Sequence, residues 1–162
     1  MPLSKIVQNS VDTPVAGTGP AFSAYLNANQ TLTNNTFTKV QINTKVFDTN
    51  TNFDNTTNYR FTPTVAGYYQ FTAYSSSISS SLNQLGLGQL IFYKNGTSTS
   101  LGSSLCYFGG STISNVDANA TGLIYCNGTT DYVELYGRIV GNGTLTLAAN
   151  VTFFQGVLMK AA

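Results

Sequence analysis

The sequence predicts an all-β domain, a sandwich, barrel or jelly roll of short antiparallel strands. Three observations predict it. Apolar residues recur with period two, the mark of half-buried strands, and no segment argues for a long helix. Turn residues break the chain about every 8–12 residues, the spacing of sandwich and barrel strands. The 162 residues fit one domain, and 42% hydrophobic residues, with 10 Tyr and 10 Phe, can fill a core without metals or many disulfides.

Taken in chain order, residues 1–20 contain Pro14, Gly17, Gly19 and Pro20 and read as an arm leading into a domain over 21–162. From Thr38 to Val46, the residues Val40, Ile42, Thr44 and Val46 share one face, and Lys39, Gln41, Asn43 and Lys45 share the other. Pro63 and Gly67 separate Phe61 from a strand whose apolar face is Tyr69, Phe71 and Ala73. Ser75 to Ser81 has almost no apolar anchor and reads as an exposed loop. Tyr132 to Ile139 alternates again, with Val133, Leu135 and Ile139 on the apolar side. Leu90-Ile91-Phe92-Tyr93, Leu123-Ile124-Tyr125 and Val157-Leu158-Met159 are apolar on both faces. A sandwich strand meets the opposite sheet on one face only, so the second face needs another cover, and a neighbouring subunit is the simplest one. Asn95-Gly96, Asn127-Gly128 and Asn142-Gly143 read as tight turns, because Asn-Gly accepts the positive φ that hairpins require.

Composition narrows the function. Charged residues make up 8% of the chain against about 25% in average domains. The seven Lys and Arg are scattered singly, which argues against nucleic acid as a partner. So little charge favours hiding surface in an oligomer or larger assembly. No apolar run approaches the length of a membrane span, and the start of the chain lacks the apolar core of a secretory signal.

Histidine is absent, removing the commonest general base and metal ligand. The six acids are Asp12, Asp48, Asp54, Asp117, Asp131 and Glu134. Asp131 and Glu134, three apart at a strand, point to opposite faces rather than across a substrate. Asp48 and Asp54 sit on an Asn/Thr-rich connection, where turn capping is expected ahead of a calcium site. Cys106 and Cys126 are either two small buried hydrophobes or a cross-strand disulfide. Tyr68, Tyr74, Tyr132 and Tyr136 read as exposed rings that could stack on a sugar, though cross-strand or subunit packing is the commoner use of such a row. No enzyme, metal site or cofactor is expected.

The segment Phe61-Thr-Pro-Thr-Val-Ala-Gly67-Tyr68-Tyr69-Gln70-Phe71 resembles the central signature of the complement component 1q globular-head family, related in fold to tumour necrosis factor. Ala21 to Ala24 and Phe47-Asp48 lie in the family's order before it. Leu90 to Gly96, Asp131 to Leu135 and Phe153 to Leu158 follow after it, so the resemblance covers residues 21 to 160. The chain departs from the pattern in a shorter stretch from Phe47 to Phe61, in Ala73 where an aromatic usually stands, and in lacking a collagen stalk.

The resemblance implies a jelly-roll β-sandwich of about ten antiparallel strands that forms a homotrimer through an aromatic, apolar seam. Its candidate seam residues are Phe22, Tyr69, Phe71, Tyr125, Phe153 and Leu158. The chain is most similar to stand-alone versions on phage and large-virus particles, which implies a virion surface location as a capsid decoration or tail-fibre tip. The arm, through Leu3, Ile6 and Val7, would dock on other virion proteins by adding a strand. The alternative is a soluble lectin-like or receptor-binding module that meets a host-surface glycan or protein. It would use loops at Ser75–Ser81 and Asn115–Asn119, with Ser77, Ser79, Asn115 and Asp117 as contacts.

Overall fold

The computed structural model describes residues 19–81, 85–100 and 113–162, together with the backbone pairing of 104–107. Leu3, Ile6 and Val7 of the expected docking arm lie outside the described residues. The strands are β1 (Ala21–Tyr25), β2 (Gln30–Thr31), β3 (Thr38–Lys39), β4 (Thr44–Asp48), β5 (Phe53–Asp54), β6 (Arg60–Phe61), β7 (Gly67–Ser79), β8 (Leu85–Lys94), β9 (Thr97–Ser98), β10 (Ser104–Tyr107), β11 (Asn115–Cys126), β12 (Val133–Gly141), β13 (Leu145–Leu147) and β14 (Phe153–Ala161). All pairs are antiparallel.

Two sheets face each other. The first runs β2-β13-β7-β14-β1-β4, with β11 along the other edge of β7. The second runs β10-β8-β12-β6-β5, with β3 added to β12 and β9 to β8. Phe22, Phe53, Phe61, Tyr69, Phe71, Phe92 and Phe154 fill the space between them, all at most 2% exposed. Phe22 stacks on Phe53 and Phe61 at 4.7 and 4.6 Å and meets Phe154 edge-on at 4.9 Å.

The Phe61-to-Phe71 signature now has a physical reason. Tyr69 and Phe71 alternate inward from β7 onto Phe61, at 5.5 and 5.9 Å. The Tyr69 hydroxyl, buried with its ring, donates to the Val65 carbonyl at 2.7 Å. A Cβ on Gly67 would stand 2.5 Å from the Lys160 carbonyl oxygen, so only glycine lets β14 approach there.

The structure corrects three readings of the sequence. The segment from Thr38 to Val46 is not one strand: β3 pairs with β12 in the second sheet and β4 pairs with β1 in the first. Val40 and Ile42 plug the core at the crossing, and beyond it Val46 emerges to solvent at 65% exposure. Alternation holds within one strand and does not show where the chain passes from one sheet to the other. The serine run is the second half of β7 rather than a loop, with Ser75, Ser76, Ser77 and Ser79 buried. Backbone pairing with β11 and β13 replaces the missing apolar anchors.

Of the Asn-Gly turns, only Asn95-Gly96 closes a two-residue hairpin, with φ of +52° and +75°, joining β8 to β9. Gly128 and Gly143 also adopt positive φ. They lie instead on connections that carry the chain from one sheet to the other.

Candidate functional site

The outer face of the first sheet is built from β1, β14, β7 and β11, and the strand register arranges its side chains in rows. One row is Tyr25, Phe153, Tyr74 and Asn119. The next is Ser23, Gln155, Thr72 and Thr121, and the third is Ala21, Val157, Gln70 and Leu123. Beyond it Tyr68 pairs with Tyr125, their rings 5.4 Å apart. Charge enters only at the two ends, with Asp117 opposite Ser76 and Lys160 opposite Tyr68.

The face carries apolar rows open to solvent. Leu123 is 49% exposed and Tyr68, Tyr125, Val157 and Met159 are exposed as well. Phe47 of β4, paired with Ser23, extends the exposed apolar surface beyond β1. Between Phe47 and Gln70 runs a shallow groove of about 250 Å³ lined by Ala21, Thr72, Gln155 and Val157. Tyr74 stacks on Phe153 at 5.9 Å. Burial and the nearby Asp117 carboxylate both raise the Tyr74 pKa.

The predicted seam residues divide. Phe22, Tyr69 and Phe71 belong to the interior rather than to the seam, because the opposite sheet already covers them and leaves nothing for a partner. Leu158 points inward and packs on the core edge. Tyr125 and Phe153 stand on the outer face. Leu123, Val157, Met159 and Phe47 were missed as site residues. For Leu123, Val157 and Met159 the signal was present in the doubly apolar segments, where the residues alternating with a buried neighbour had to face outward.

The residues expected at a recognition loop are not on one. Ser77 and Ser79 point into the sandwich, while Asn115 and Asp117 are exposed on β11, paired with Ile78 and Ser76. Of the four tyrosines, Tyr68 alone is well exposed. Tyr132 lies under the Arg60 guanidinium at 4.2 Å, and Tyr136 stacks on Tyr93 at 3.9 Å.

Four of the described acids are held by structural partners. Asp54 accepts hydrogen bonds from the amides of Thr57, Thr56 and Asn58 and from the Asn58 side chain, which together hold its pKa well below the ordinary value. Asp48 takes the amides of Asn52 and Phe53 and pairs with Lys45 at 3.2 Å. Both therefore cap the loops around them, as expected. Burial raises the pKa of Asp131, but Lys94 at 2.8 Å, Asn95 and the Asn127 amide outweigh it and hold it low. Glu134 pairs with Lys39 at 2.5 Å. Among the described residues no group of three or more acids and cysteines could hold a metal ion. Cys126 is a free, buried thiol, and burial pushes its pKa up to about 11. The Cys106 side chain lies outside the described residues.

No protein-family model matches the sequence, and no curated protein matches it significantly. Solved structures match in shape. Eiger TNF from S. frugiperda superposes with a TM-score of 0.66 at 8% identity, over 89% of this chain and 95% of that one. Murine APRIL, from a crystal at pH 5.0, gives 0.58 at 11% identity, over 87% and 99%. The chain therefore has the tumour-necrosis-factor-like jelly-roll fold, and at these identities the likeness concerns fold.

Proposed function

We propose that this chain is a non-enzymatic homotrimeric binding and assembly protein whose subunits meet through the outer face of the first sheet. The observation that carries the reading is that face: exposed rows of Leu123, Val157, Tyr68 and Tyr125, with charge only at the ends. A monomeric domain seldom leaves a contiguous apolar patch of this kind in water. The resemblance in the sequence independently implies a trimer. The finer proposal places the trimer on a virus particle, as a capsid decoration or tail-fibre tip docked by residues 1–20. Its support is the near-neutral composition, with a net charge of +1, and the apolar Leu3, Ile6 and Val7 of the arm. Recognition of a host-surface glycan or protein is the second reading. Asn115, Asp117 and Asn119 favour it, as exposed polar residues on the edge strand β11.

Two experiments test these levels separately. Leu123→Asp and Val157→Asp each bury a charge at the proposed contact, and each is expected to yield folded monomers. Unchanged assembly in both would overturn the trimer face. For the finer level, the chain is expected to be found by mass spectrometry in purified virus particles and to leave them when residues 1–20 are deleted. Purified particles that never contain it would overturn the virion placement and leave the trimer reading standing.

A further inference from the structure

The outer face of the first sheet is not uniformly apolar. Between its aromatic row (Tyr25, Phe153, Tyr74) and its aliphatic row (Val157, Leu123) runs an uncharged polar row crossing four strands, Ser23, Gln155, Thr72 and Thr121. Gln70, from the aliphatic row, turns back toward it. Its amide donates to the Thr121 hydroxyl at 2.8 Å and to the Phe71 carbonyl at 3.2 Å. The Thr121 hydroxyl also donates to the Phe71 carbonyl at 3.2 Å and lies 3.4 Å from that of Thr72.

An unbroken polar row across an otherwise apolar face is costly if its only task is to be covered. Each buried hydroxyl or amide needs a partner, and the free energy lost when one is orphaned is about 1–3 kcal/mol. Rows are two residues apart along a strand, so a slip by one row is a displacement of about 6.6 Å. In a symmetric assembly whose axis follows the strands, every copy holds its polar row at one height, and polar groups meet polar groups. Slipped by a row, Gln155, Thr72 and Thr121 of one copy lie against Phe153 and Tyr74 or Val157 and Leu123 of the next. The Gln155 amide is then stranded against apolar side chains, while Thr121 keeps its own bonds to Gln70 and Phe71. A single buried polar position fixes register and stoichiometry in coiled coils by this penalty.

Resting on the assembly reading above, we propose that the Ser23–Gln155–Thr72–Thr121 row selects one register and one stoichiometry among the ways copies of this face can associate. The apolar rows supply the affinity and the polar row the uniqueness.

The test removes the row's polarity while leaving shape nearly intact, in Thr72→Val/Thr121→Val/Gln155→Leu. Native mass spectrometry with ion mobility reads the wild type and variant. The wild type is expected as one trimer mass with one narrow arrival distribution. The variant is expected to stay associated to about tenfold lower concentration, a gain of about 2.8 kcal/mol per trimer because its dissociation constant scales with the square of concentration, while splitting into more than one stoichiometry or arrival distribution. The Thr72→Ser/Thr121→Ser variant, which keeps the hydroxyls, is expected to behave as wild type. If the triple variant fails to fold, Thr72→Val/Thr121→Val carries the same expectation. A folded variant with the single wild-type state overturns this inference alone. A monomeric wild type overturns the assembly reading, and this inference with it.

Discussion

Phe22 was legible in the sequence as a seam residue and stands instead at the centre of the core, so its substitution separates the two roles. The ring is 1% exposed and lies within 4.6–6.5 Å of Phe53, Phe61, Phe71 and Phe154. Truncating a buried Phe to Ala costs about 3–5 kcal/mol, from lost transfer energy and the cavity left behind. Four aromatic neighbours put Phe22→Ala near the upper end, about 5 kcal/mol, because favourable ring pairs add to the burial of area. A domain of this size has roughly 5–15 kcal/mol in all, so the variant should lose about a third or more of it and melt about 10–20 °C lower. Urea unfolding followed by circular dichroism, at two protein concentrations tenfold apart, is the assay. The loss is expected to be the same at both, since it belongs to one chain's interior. A loss below about 1 kcal/mol, or one confined to the lower concentration, would refute the placement of Phe22 in the core.

Other perturbations follow from the same geometry. Gly156→Ala sets a Cβ 2.6 Å from Phe71 and 2.8 Å from Phe22; a destabilisation of about 1–3 kcal/mol in the same assay is expected from overpacking, and an unchanged midpoint would contradict the tight β14 approach. Asp54 and Asp131 both have lowered pKa values. Their stabilisation is complete above the unfolded carboxyl value of about 3.9 and is lost as pH falls below it. The urea midpoint should therefore be lower at about pH 3 than at pH 7, and Asp54→Asn/Asp131→Asn should remove much of that difference; an equal difference in that variant would refute the assignment. Cys126, buried with its thiol pushed up to about 11, should resist alkylation at about pH 8 until the chain is unfolded; peptide mapping that finds it modified in the folded protein would contradict its burial.

The fold was readable because its determinants are local. Alternation at Tyr69, Phe71 and Ala73 and at Val133, Leu135 and Ile139 named buried faces that the structure confirms. The two-residue turn at Asn95-Gly96 followed from the same logic. Sheet membership was not readable at Thr38 to Val46, because the switch between sheets changes the partner strand without breaking the alternation. The serine run misled for a related reason. Its burial comes from pairing with β11 and β13, which lie distant in sequence and add backbone hydrogen bonds that side-chain hydropathy does not record.

The outer face was half readable. The doubly apolar segments identified β11 and β14 as strands needing a second cover, yet the family pattern drew attention to Phe22, Tyr69 and Phe71, the large aromatics of the core. Deciding between inward and outward needed the cross-strand register. Gly156 pairs with Phe22 and Phe71, and Val157 with Ala21 and Gln70, so adjacent residues of one strand go to opposite destinations.

The mass of the full-length chain in solution, by light scattering across a range of concentrations, tests the central claim most directly. The account predicts a stable particle of about three times the 17.3 kDa chain mass. A folded particle of single-chain mass at all concentrations would contradict it.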